Sequence, residues 1–180
     1  MPRPLTQIDA VRRIQSAALG VAAVATMMSG PVVAAAPPGP RAFLEALYRH
    51  YPTADTPDGF DPTGGDAPKV FTSALAALID RDRASAGGEV GALDGDPLCD
   101  CQDDGGMTVD IGLVSRIGPE SARAVVVLTF TAATPPEIRR LTVKLARTKA
   151  GWRIADIESP GETALRARLS HPGRNPDDAP

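Results

Sequence analysis

The chain has 180 residues, 19 basic and 22 acidic side chains, a formal charge of −3, and 43% hydrophobic but only 4% aromatic residues. That charge leaves no electrostatic footprint for nucleic acid and disfavours an anionic membrane surface. The length suits one domain with a real core.

In chain order, residues 1–35 read as a secretory signal. Arg3, Arg12 and Arg13 precede an apolar run from Ala17 to Met28 that breaks at Gly30-Pro31. Val33 and Ala35 fit the small-residue positions of a cleavage site, with a cut after Ala34 as the alternative. A retained anchor is the competing reading, because a bilayer span needs ~20 apolar residues. Gly30-Pro31 and the alanine-rich hydrophobicity argue against it. Gln15-Ser16 stand where a twin-arginine signal wants apolar residues, and no cysteine is present in this segment for lipid acylation. The expected location is periplasmic or secreted, with no membrane association after cleavage. Losing three arginines and one aspartate moves the formal charge from −3 to −5 on the remaining 145 residues (180 less 35).

"PRAFLEALYRHY" puts Phe43, Leu44, Leu47, Tyr48 and Tyr51 on one helical stripe, with Arg41, Glu45 and Arg49 opposite and Pro52 as the stop. The Pro-, Gly-, Asp- and Thr-rich run 51–67 is a long loop. "PKVFTSALAALIDRDRAS" is predicted as one helix that starts at Pro68, turns Phe71, Leu75, Leu78 and Ile79 inward, and ends at Gly87-Gly88. The period then becomes two. "MTVDIGLV" alternates, "SARAVVVLTFTA" is apolar on both faces like a central strand, and "IRRLTVKLART" alternates again. "WRIADIE", after Lys149-Ala150-Gly151, is its hairpin partner. "ETALRARL" is a short last helix with Leu165 and Leu169 on one side, and residues 171–180 read as a disordered tail.

Helices followed by consecutive antiparallel strands define an α+β domain over 36–170. N-terminal helices pack on a curved antiparallel sheet of about four strands, with a short C-terminal helix. The "DPLCDCQD" run, the "GWRIADI" strand and the "TALRARL" helix resemble the bacterial domain-of-unknown-function family 3828 over residues 38–170. That resemblance implies a nuclear-transport-factor-like, cystatin-like cone fold and an exported location. It implies no reaction. Members are often lipoproteins, and this chain departs from that because it has no N-terminal cysteine.

"DPLCDCQD" holds both cysteines. In an extended segment Cys99 and Cys101 point to one face with Cα atoms ~6.5–7 Å apart, the upper edge of disulfide reach. A bond therefore needs a bent backbone, and closing so short a ring stabilises by only about 1.6 kcal/mol. The open choices are this ring, two thiols, half of a metal site, or a bond to another molecule. Asp96, Asp100, Asp103 and Asp104 work against a reactive thiolate. Asp100, Gln102, Asp104 and Gly105 mimic the start of a calcium loop, but Ile111 stands where its glutamate belongs. The preferred reading is a structured turn with a local disulfide, its Asp and Gln side chains (Asp96, Asp100, Gln102, Asp103) capping backbone groups.

Strict alternation would put Trp152, Ile154 and Asp156 on one face. With Trp152 in the core, Asp156 would then point into the pocket between sheet and helices, where Tyr48 or Tyr51 could meet it. The competing reading has Asp156 at the strand's end, capping a turn. Three functions follow. The first is a binding or protein-interaction module for a small molecule or a protein, with no cofactor. The second is a small pocket enzyme using an Asp156/Tyr pair for proton transfer. The third is a metal or redox role, for example with copper(I), for the cysteine pair. The first is preferred because catalytic sets, phosphate loops and zinc spacings are not found in the sequence.

Overall fold

The computed structural model describes residues 38–51, 59–102 and 106–171, all within the compact unit Ala36–Pro180. The proposed signal, part of the 52–67 loop, Asp103, Asp104, Gly105 and all of the tail but His171 lie outside the described residues. The order is α1 (Pro40–Tyr48), α2 (Ala67–Val70), α3 (Ser73–Ala86), β1 (Met107–Gly118), β2 (Ser121–Phe130), β3 (Glu137–Thr148), β4 (Gly151–Glu158) and α4 (Leu165–Ser170). The four strands form one antiparallel sheet in the order β1-β2-β3-β4. This is the expected α+β class, with several helices and a short C-terminal one.

Period-two alternation decides which side of the sheet is covered. Ala122, Ala124, Val126, Leu128 and Phe130 of β2 are buried, as are Leu141, Val143 and Leu145 of β3 and Trp152, Ile154 and Ile157 of β4. Leu44, Leu47, Leu75, Ile79, Leu165 and Leu169 of the helices complete this core. Strand β2 is central, but its other face is not covered as predicted. Val125 and Val127 stay half-exposed, because the helices lie on one side only.

The second predicted helix is two helices. Phe71 is extended (φ −103°, ψ 158°) and bridges Ile154 of β4, while the Thr72 amide donates to the Ile154 carbonyl at 2.8 Å. Pairing with an otherwise open sheet edge outweighs helix continuity here. Thr72 then caps α3, its hydroxyl accepting from the Leu75 amide, and Gly87 stops α3 in the left-handed region (φ +59°). Strand β1 has register shifts between Ile111 and Val114 and between Arg116 and Gly118. Arg41 of α1 donates to the carbonyls of Ile111 (2.7 Å) and Gly112 at the first of these, tying the helix to the bulge. Among the described residues no helix is long and apolar enough to cross a membrane.

Candidate functional site

The segment before β1 is held from beneath by buried polar contacts. Asp82, buried on α3, accepts from the amides of Ala92 and Leu93, both at 2.9 Å. A Cβ on Gly91 would sit 2.4 Å from that carboxylate, so a larger residue there would displace the Asp82 side chain. Further on, Asp96 folds an Asx turn by accepting from the Leu98 amide at 2.8 Å, and its backbone pairs with Cys101 in an isolated antiparallel bridge. A Cβ on Gly95 would lie 2.5 Å from the Cys101 carbonyl oxygen. Leu98 is fully buried, and its carbonyl accepts from the hydroxyl of buried Tyr48 at 2.8 Å. Tyr51 donates its hydroxyl to Asp96. Burial first, and the Asp96 charge second, push the Tyr48 phenol above its ordinary range.

Within this turn the Cys99 and Cys101 sulfurs lie at disulfide distance, with Cα atoms 5.1 Å apart. The required bend falls on Asp100, whose φ is +53°. Cys99 is buried and Cys101 half-buried. An incoming thiolate would reach Cys101 more readily than Cys99 and would expel Cys99 as a buried thiolate, a leaving group disfavoured by desolvation. The sulfur pair spans the bend of the turn. Among the described residues no group of three or more His, Cys, Asp or Glu is placed to hold a metal ion.

The turn forms one wall of an open cleft of about 1040 Å³. Asp94, Asp96, Asp100 and Gln102 line that side, and Arg139, Arg140 and Arg168 line the others, from β3 and α4. Arg139 stacks over Phe130 at 4.9 Å from the ring centre and donates to Glu137 at 2.6 Å. Arg168 donates to Glu162 at 3.2 Å, while its Nε is buried with no hydrogen-bond partner among the described residues. Arg140 is exposed on the opposite face of β3, the face of Thr142 and Lys144.

Asp156 lies elsewhere. The β3–β4 register pairs Lys144 with Asp156 and Leu145 with Ile154, leaving Ala155 as an extra residue. This bulge breaks the alternation, so Ile157 takes the core position and Asp156 turns to the face of Lys144. Its carboxylate accepts from Lys144 Nζ at 3.4 Å and from the amides of Ile157 and Arg166, each at 3.0 Å. Among the described residues Asp156 does not meet Tyr48 or Tyr51, and the reading of it as a cap at the strand's end describes the arrangement. Lys144 also pairs with Glu158, and these carboxylates hold its ammonium above the usual lysine range. Trp152 is buried at another part of the sheet, with the Arg116 guanidinium 5.1 Å from its ring centre. Of the residues singled out from sequence, Tyr48, Tyr51, Asp96 and the cysteine turn come together, whereas Trp152 and Asp156 do not join them. Arg139, Arg168 and Asp94 were missed. The one sequence signal, for Arg139 alone, is the "EIRR" charge cluster at the start of β3, which alternation reads as solvated.

No family model matches the chain. The uncharacterized protein YqhG of Escherichia coli (strain K12) is 30% identical over 123 residues, covering 67% of this chain and 39% of that protein. The chain thus spans well under half the length of this curated relative. Among solved structures, the type VI effector-immunity complex Tae3-Tai3 from Ralstonia pickettii is similar with a TM-score of 0.43 and 20% identity, covering 69% of this chain and 98% of that one. A phospholipid-binding protein from Ralstonia solanacearum, solved with a phospholipid, gives 0.32 and 13%, covering 71% and 68%. Both scores are too low for a ligand or partner to be carried over.

Proposed function

We propose that this chain is an exported binding module that holds a small molecule or a short protein segment in the cleft beside the cysteine turn. The single observation behind this reading is the cleft of about 1040 Å³, a volume just above the roughly 300–1,000 Å³ usual for ligand sites. Its acidic wall is anchored by Tyr48 and Asp82, so it is preformed and costs little to organise on binding. Export rests on the pattern of residues 1–35, and membership of family 3828 rests on the cysteine and tryptophan motifs. The proton-transfer alternative needs Asp156 beside a tyrosine, and the metal alternative needs more donors than the sulfur pair supplies. Neither has an observation in its favour. A fragment screen read by amide chemical shifts tests the proposal. Hits that move residues 94–102, 138–141 and 165–168 support it; hits confined to the open face of the sheet discard it.

A further inference from the structure

The charges of the cleft are sorted by wall. Asp94 and Asp100 stand on the loop side, and Asp96 beside them is engaged by Tyr51 and the Leu98 amide. Arg139, Arg140 and Arg168 stand on the β3 and α4 sides, Arg140 with its side chain on the other face of β3. Two of these arginines are held by carboxylates a few residues away, Glu137 and Glu162. A guanidinium offers five N–H donors in a planar fork, and each of these pairs uses one contact. Such exposed pairs exchange readily for a better acceptor. The buried Nε of Arg168 remains an unsatisfied donor among the described residues, the kind of group that calls for an acceptor. The Arg139 guanidinium rests over the Phe130 ring, so less of its freedom remains to be lost on contact with a ligand. A plain anion would meet the arginines but be repelled by the aspartates opposite, and a plain cation would meet the reverse.

Building on the cleft reading, we infer that the ligand is zwitterionic and peptide-like, its carboxylate on Arg139 and Arg168 and its ammonium on Asp94 and Asp100. The cleft's volume accommodates a short peptide. A charge-assisted contact at each end gives the molecule one orientation.

The test uses tri-alanine, its N-acetyl form and its C-terminal amide, titrated into the ¹⁵N-labelled full chain. Tri-alanine is expected to shift amides on both walls, and each blocked form to bind about tenfold more weakly for its lost charged contact. Arg168→Gln should remove the discrimination against the amide, and Asp100→Asn the discrimination against the acetylated form. Because Arg168 also supports α4, Arg139→Gln serves as the second variant, and Arg140→Gln, on the other face of β3, should leave the discrimination unchanged. Equal binding of all three peptides within the cleft overturns the zwitterion class and leaves the cleft reading standing. Silence of tri-alanine while fragments still map to the cleft does the same. If neither peptide nor fragment maps there, both fall.

Discussion

The hydroxyl of Tyr48 on α1 donates to the carbonyl of Leu98 at 2.8 Å across fifty residues of chain, with both groups buried. Removing that hydroxyl leaves a buried carbonyl unpaired. Tyr48→Phe should therefore cost about 1–2 kcal/mol in denaturant unfolding.

The same tyrosine sets an alkaline limit. Its folded-state pKa is raised, by burial and then by Asp96. Below the unfolded value, about 10, both states hold the proton and the contribution is intact. Above it the unfolded chain releases a proton that the folded chain retains, so stability falls as pH rises. Tyr48→Phe should flatten this part of the stability profile between pH ~10 and ~11.5. An unchanged slope would mean that the phenol is not buried.

Asp82 carries the loop 87–95 on two amides. Asp82→Ala should cost about 2–3 kcal/mol, because two partly buried N–H groups lose a charged acceptor. Amide hydrogen exchange at Ala92 and Leu93 reads this directly. Exchange should rise at those two positions well before the strands open.

The cysteine turn separates covalent from packing contributions. Replacing Cys99 and Cys101 by serine should cost no more than about 1.6 kcal/mol from ring closure. Gly95→Ala should cost more, about 2–3 kcal/mol, because its Cβ meets a backbone oxygen that cannot move without breaking the Asp96–Cys101 bridge. Thermal melts give the order of the two losses, and intact mass with and without alkylation gives the state of the sulfurs. A purified chain that alkylates fully without reductant would refute the ring.

Asp156 should behave as a cap. Asp156→Ala is expected to lower stability by about 1 kcal/mol through the first turn of α4. Peptide affinity in the cleft should be unchanged. A large loss of binding would return Asp156 to the site.

Much of this molecule is legible in one dimension. The stripe of Leu44, Leu47 and Tyr48 and the alternation of Leu141, Val143 and Leu145 each bury a face, and a buried face has to repeat with the period of its own backbone. Gly87 was readable as a stop because its left-handed conformation is cheap only for glycine. Local chemistry also sufficed for the cysteine turn, where two sulfurs one residue apart can meet only if the backbone bends between them.

What the chain could not declare depends on partners distant in sequence. Phe71 leaves its helix because β4, some eighty residues later, offers it an open edge, and one unpaired Ala155 turns Asp156 away from the tyrosines. The two-signed cleft exists only because the loop, β3 and α4 end side by side. Periodicity encodes which face of a segment avoids water, a property of neighbouring residues. Register, bulges and the meeting of opposite charges are properties of pairs, and only the packed sheet decides which pairs form.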